Sequence, residues 1–273
     1  MAMNKWFDFI DVVYYEKILM PLLLLSKLGR SSVLGQADSG LNFDHMYMNK
    51  PKGVTAFGKF VDRVLLNLPS VQATRARQEI IVKILQNEIL NNVALQQKSR
   101  IVDIASGPAR YLSDFLNNYG QNSMEVLCID RDRRSLNFGK ILARNKPMRF
   151  IKADIFRTNK LQKLSSRSRW IPNVVICSGL FEYLEDTGVK KILSDIFKNL
   201  DDGGLLVFAS QKDNPSKKLM SRVCKTQNGN TWDLFYRNPE LFRAWLLNAG
   251  FRAAIVSVDR WGMYEFCTAR KYL

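Results

Sequence analysis

Ile101-Val102-Asp103-Ile104-Ala105-Ser106-Gly107-Pro108-Ala109-Arg110 is the stretch around which the rest of the chain is organised. Branched apolar residues surround a single acid, and a run of small residues follows. A short β-branched run ended by turn residues predicts a buried parallel strand. Ala109 to Leu116 then reads as a helix. Small side chains between 105 and 109 let a ligand approach the backbone closely. The helix points its first N–H groups into the same space. This strand–loop–helix frame suits a nucleotide-type ligand, although such turns also occur without one.

The pattern repeats downstream. Glu125–Ile129 is a strand ending at Asp130, Arg149–Lys152 one ending near Asp154, and Asn173–Cys177 one ending at Ser178-Gly179. Helices are expected over Ser135–Ala143 and Gly188–Leu200, then a strand over Leu205–Ala209 and a helix over Pro239–Ala249. Strands alternating with helices imply an α/β fold with a doubly wound, mainly parallel sheet. Ala253–Val258 and Met263–Thr268 are separated by only a short joint, so that last pair is antiparallel.

Upstream, Phe60–Leu66 and Thr74–Asn92 read as helices, while residues 31–58 look like a connector rich in glycine and serine. The N-terminus is rich in apolar residues from Trp6 to Tyr15, interrupted by Asp8 and Asp11, and uncharged from Ile18 to Leu25. That second run is far below the ~20 residues of a membrane span. The start also lacks the basic region and cleavage site of a signal peptide. We therefore expect residues 1–72 to form an N-terminal helical extension, acting as lid or packed core, and residues 73–273 to form the main domain. Peripheral contact of the extension with a membrane is the open alternative.

A net charge of +16 invites an anionic partner. Residues 1–50 are balanced, with five basic and five acidic side chains, and the excess is spread evenly beyond them. The densest acid-free basic stretch, Arg157–Arg169, reads as a solvated loop, with a phosphate-binding patch as the alternative. Nucleic acid is therefore not the expected partner. Cys128, Cys177, Cys224 and Cys267 form no CxxC pair, and His45 is the sole histidine. No metal site is expected, and unpaired cysteines suit a reducing, cytoplasmic setting. The sequence does not decide the oligomeric state.

In an open α/β sheet the ligand lies beyond the carboxyl ends of the strands. Those ends carry the 105–109 loop, Asp130, Asp154 and Ser178. An acid after the second strand can accept from vicinal ribose hydroxyls, and one after the third from an exocyclic amine. Asp103 can accept from its own loop or from a ligand ammonium.

The segments Val102–Ala109, Cys128–Asp132, Lys152–Phe156 and Val175–Glu182 together resemble the class I S-adenosylmethionine-dependent methyltransferases. The family loop usually reads acid-x-Gly-x-Gly-x-Gly, and Ala105 and Ala109 stand here in place of its outer glycines. The resemblance covers residues 75–273 and implies a seven-stranded Rossmann-like sheet with an antiparallel last strand. It implies that Asp103 and Gly107 line the methionine part of the cofactor, Asp130 the ribose, and Asp154 with Ile155 the adenine, and that Ala105, Ser106, Arg131 and Ser178 belong to the same cofactor site. Asp132 is a rival to Asp130. Ser178–Glu182, Asn228–Trp232 and Pro239–Phe242 are also similar to a group of bacterial methyltransferases of unknown substrate.

The resemblance implies S-adenosylmethionine as cofactor, S-adenosylhomocysteine as product and in-line methyl transfer. Such a displacement depends on positioning and on exclusion of water, so no dedicated base is obligatory and the catalytic residues stay unassigned. Glu182, Tyr183, Tyr47 and Tyr264 are the candidates to orient an acceptor. A small-molecule or lipid-like acceptor is expected. An RNA methyltransferase and a catalytically silent cofactor-binding protein are the alternatives. The chain has no recognisable RNA module, and Ser178-Gly179-Leu180-Phe181 replaces an Asn-Pro-Pro-Tyr-type acceptor loop.

Overall fold

The structure, a computed structural model, describes residues 13–119, 123–155 and 170–272. The basic stretch Arg157–Arg169, the apolar start from Trp6, and Phe156 lie outside the described residues. The chain divides into two compact units. One comprises Asn214–Asp233 and the described residues of Met1–Arg75, the other Ala76–Asp213 and Leu234–Leu273.

The larger unit is built on a seven-stranded sheet. Its strands are β1 (Ser99–Ile104), β2 (Met124–Asp130), β3 (Met148–Lys152), β4 (Val174–Ser178), β5 (Leu205–Gln211), β6 (Ala253–Val258) and β7 (Tyr264–Arg270). Their order is β3-β2-β1-β4-β5-β7-β6. β1 to β5 run parallel, and β7 runs antiparallel to both of its neighbours. The chain winds outward from β1 to β3 and returns to place β4 against the free side of β1. The switch point, where α/β sheets hold their ligands, therefore lies at the carboxyl ends of β1 and β4.

Central strands are apolar on both faces because helices cover both. Val102, Ile104, Leu127, Ile129, Val175, Cys177, Leu206 and Phe208 share one core cluster. Against it pack Val189, Ile192, Leu193 and Ile196 of helix Asp186–Asn199, and Phe242, Trp245 and Leu246 of helix Pro239–Ala249. The apolar spacing of three and four residues in these helices gives each a stripe that burial stabilises. Phe181 joins the cluster edge-on to Phe208, with ring centroids 4.9 Å apart.

The expected connector over 31–58 is largely helical. Gly40–Met48 is a helix, capped by Ser39, whose hydroxyl accepts from Leu41 N. The second upstream helix spans Ala56–Leu66, four residues longer at its start than expected, with Thr55 Oγ1 accepting from Gly58 N at 3.0 Å. The periodic signal of the first helix fails because it buries polar residues. Asn42 donates to Ser32 Oγ and to Ala37 O, each at 3.3 Å, and His45 Nε2 meets Asp62 Oδ2 at 2.8 Å. Asp62 also accepts from Leu28 N at 2.7 Å and Lys52 N at 2.8 Å, so one buried carboxylate ties three segments of the smaller unit together. Burial alone would raise the Asp62 carboxyl; the His45 ring and the two backbone donors outweigh it and hold it below its ordinary value.

Candidate active site

The loop after β1 turns through an unusual backbone. Ala105, Gly107 and Ala109 all take positive φ, at 56°, 56° and 49°. A left-handed residue costs a non-glycine about 1–2 kcal/mol, which is why a glycine suits each of these alternating positions. The strain is held by hydrogen bonds. Ser106 N donates to Ile129 O at 3.2 Å, and Ala109 N to Ser106 O at 3.1 Å. Replacing Ala109 by glycine relieves the strain but loosens the unfolded chain. We expect a net gain of about 0.5 kcal/mol in unfolding free energy, and a loss of 1 kcal/mol or more in urea denaturation would contradict this account.

Asp130, the last residue of β2, closes the loop from the neighbouring strand. Its Oδ2 accepts from Gly107 N and its Oδ1 from Asp132 N, both at 2.7 Å. Burial pushes its carboxyl up, and these two donors partly offset that. Asp132 has another task. It caps helix Arg133–Leu142, accepting from Arg134 N at 3.0 Å and from the Ser135 hydroxyl at 2.8 Å. Both of its carboxyl oxygens therefore serve the helix start. Arg131 between them is exposed.

Asp103 lies within β1 and is buried. The Tyr111 hydroxyl donates to its Oδ2 at 2.8 Å. Burial, reinforced by the charge of Asp130 and opposed by the Tyr111 bond, pushes the Asp103 carboxyl up to about 8. Asp154 and Ile155 follow β3, half-buried, and Ala153 N donates to Asp130 O at 3.0 Å. Ser178 ends β4, and Gly179 follows at φ 84°. The sheet thus brings Asp103, Ala105, Ser106, Gly107, Asp130, Arg131, Asp154, Ile155 and Ser178 to the carboxyl edge of its parallel strands.

The acceptor candidates are distributed differently. Glu182 sits in a buried turn, Phe181–Tyr183, directly past β4. Tyr183 is half-buried beside it. Tyr264 is fully buried at the start of β7, its hydroxyl accepting from Gln211 Nε2 at 3.1 Å. Tyr47 is on helix Gly40–Met48 in the smaller unit.

Around Glu182 the fold gathers polar residues that the sequence pattern did not single out. Arg77 Nη1 lies 3.7 Å from Glu182 Oε1, with both side chains buried. The Arg77 guanidinium also stands 4.9 Å from the Tyr264 ring centroid. A Cβ on Gly179 would meet Arg77 Nη1 at 2.7 Å, and its φ of 84° favours glycine there. Arg237 donates to Phe181 O at 2.7 Å, to Asp186 Oδ1 at 2.9 Å and to Leu184 O, which fixes the turn that carries Glu182. Glu265 is fully buried opposite Ser210. Among the described residues, Glu182 Oε2, both Glu265 carboxyl oxygens and Ser210 Oγ have no hydrogen-bond partner. Burial raises the Glu182 carboxyl and pushes that of Glu265 up to about 8. Glu265, an acid within the mostly apolar β7, is a sequence signal that could have added to Glu182 and Tyr264 here.

Among the described residues no group of side chains could hold a metal ion, and no helix is long and apolar enough to cross a membrane. The chain is 28% identical over 238 residues to the uncharacterised protein YnbC of Escherichia coli K12. That match covers 85% of this chain but only 40% of the relative's length. A Bordetella parapertussis protein named as a possible exported protein superposes with a TM-score of 0.67 at 20% identity, over 86% of this chain and 80% of that one. Magnesium protoporphyrin IX methyltransferase from Synechocystis PCC 6803, crystallised with bound S-adenosylhomocysteine, superposes with a TM-score of 0.58 at 11% identity, over 88% of this chain and 98% of that one. These likenesses show a shared Rossmann-like fold. A family model described as "Putative methyltransferase" matches residues 12–271, and the chain belongs to that methyltransferase family.

Proposed function

We propose that the protein transfers a methyl group from S-adenosylmethionine to a small-molecule or lipid-like acceptor, working in the cytoplasm. The observation that carries this reading is the Gly107–Asp130 contact, which places a small-residue loop and a carboxylate at the strand ends where the fold binds ligands. The cofactor would supply an electrophilic methyl on a sulfonium. Its chemistry fits the residues present: an ammonium and a sulfonium call for an anion such as Asp103, a ribose diol for a paired acceptor such as Asp130, an adenine amine for Asp154. The small side chains of Ala105, Ser106 and Gly107 suit a backbone that a ligand approaches closely. Arg131 would flank the ribose, and Ile155 and Ser178 would border the adenine and the methionine ends.

Glu182, with an oxygen still open to a donor, would orient the acceptor together with Tyr183. We assign residues 1–72 to an extension that selects the acceptor, with Tyr47 as its contact. Tyr47→Ala should then leave cofactor affinity unchanged and lower transfer about tenfold or more; weakened cofactor binding with normal transfer would reject that role. The four cysteines are free and buried, as suits a reducing compartment.

Calorimetry with S-adenosylmethionine tests the reading, followed by a methylation screen of metabolite and lipid extracts. Absence of binding would leave a silent relative of the fold; methylation of RNA alone would favour the nucleic-acid alternative. The pH dependence is specific. A cation beside Asp103 favours its ionised form, so binding below pH 8 must expel a proton. Affinity should rise by up to about tenfold per pH unit towards pH 8 and level off above it, and Asp103→Asn should flatten the profile. The same shift has the opposite sign for the free fold. Unfolded Asp103 loses its proton near 3.8 and folded Asp103 near 8, so its contribution to stability falls as the pH rises between them.

A further inference from the structure

The smaller unit turns an unusual helix face to solvent. Helix Ala56–Leu66 is seated through Gly58, Asp62 and Leu66, which are buried at four-residue spacing. A Cβ on Gly58 would lie 2.3 Å from Leu25 O, so the helix rests directly on the backbone of its neighbour. Its opposite face carries Phe57, Phe60 and Val64, which are 54%, 57% and 49% exposed, and Val54 just before it is 62% exposed. The two phenylalanine rings stack, with centroids 6.3 Å apart at 26°. Residues 57, 60 and 64 form one stripe of the helix.

Charge accompanies this stripe. Lys59 and Arg63 are exposed on the same helix, and Lys50 and Lys52 on the segment leading to it. Between residues 45 and 78 Asp62 is the only acid. It is fully buried, held by His45, Leu28 N and Lys52 N. The one acid of this stretch is turned inward. Isolated exposed apolar residues are ordinary, but an aromatic stripe edged by basic residues, with no exposed acid, is the pattern of a helix lying in a lipid interface. Pairing with a second copy is disfavoured, since a two-fold contact would set Lys59 and Arg63 against their own copies.

We propose that the Phe57–Phe60–Val64 face docks on an anionic lipid bilayer, with the rings entering the acyl boundary and Lys59 and Arg63 meeting the headgroups. This docking needs no methyl transfer and uses none of the residues assigned to the cofactor. The test is co-sedimentation of the full chain with vesicles of phosphatidylcholine alone and of phosphatidylcholine with phosphatidylglycerol. The chain should partition onto the anionic vesicles, and the binding should weaken as salt rises. Phe57→Ser with Phe60→Ser should lower that partition about tenfold or more. Lys59→Gln with Arg63→Gln should lower it on anionic vesicles by about tenfold and leave phosphatidylcholine unaffected. All these residues are exposed, so melting midpoints should stay within a few degrees of the parent. Equal binding by parent and variants would overturn the proposal, as would no binding of the parent at low salt. So would light scattering that shows a dimer made monomeric by the phenylalanine substitutions.

Discussion

Asp130→Ala is expected to weaken S-adenosylmethionine binding by about 1.5–3 kcal/mol, a ten- to hundredfold or greater loss, because a charge-assisted pair of acceptors is removed from the ribose. The structure adds a second consequence. Asp130 also accepts from Gly107 N and Asp132 N, so alanine would leave two loop donors without their partner. Asp130→Asn separates the effects. It retains one acceptor for the loop and loses the charge, so it should keep most of the stability while losing affinity. Calorimetry on both variants, alongside their urea unfolding curves, provides the check. A folded Asp130→Ala protein that binds the cofactor as tightly as the parent would remove Asp130 from the site.

Arg237→Met is expected to cost about 2–5 kcal/mol of unfolding free energy, the scale for leaving two buried carbonyls without donors. The Arg237 guanidinium, buried, bonds the carbonyls of Phe181 and Leu184 and pairs with Asp186 Oδ1 at 2.9 Å. It also stands 5.7 Å from the Trp245 ring centroid and 5.3 Å from that of Phe235. Methionine fills similar volume but leaves two carbonyls without donors. Arg243 on the following helix is exposed and pairs loosely with Glu240 at 3.8 Å, so Arg243→Ala should cost under about 0.5 kcal/mol. Equal urea midpoints for Arg237→Met and the parent would show that the turn carrying Glu182 does not depend on this residue.

The sheet was legible in the sequence because its strands are buried on both faces. β1, β2 and β4 are short, mainly apolar runs ended by acids or small residues, and the observed bounds lie within two residues of those expected. The loop residues were legible for a related reason: a ligand-side backbone that needs left-handed turns tolerates only small side chains. Helix Gly40–Met48 was hidden, since Asn42, Asp44 and His45 are buried in it and erase its apolar stripe. Helix Lys217–Val223 was missed too; it is short, and its unit gathers it with residues far away in sequence.

Local pattern alone therefore determined the strand order of chemistry along the chain: small loop, Asp130, Asp154, Ser178. Each of these follows from its immediate neighbours and from the periodicity of buried strands. Only the tertiary structure decided which acid faces the loop, because Asp132 is spent on a helix cap and Asp130 on Gly107. Only it brought Arg77, Arg237 and Glu265 around Glu182, from segments up to 188 positions apart, and set Gln211 on the Tyr264 hydroxyl. And only it turned Asp62 inward to leave a basic, aromatic helix face outside. Buried polar contacts are made between segments remote in sequence, and their partners are set by the packing that removes water from them, so no local window carries their signal.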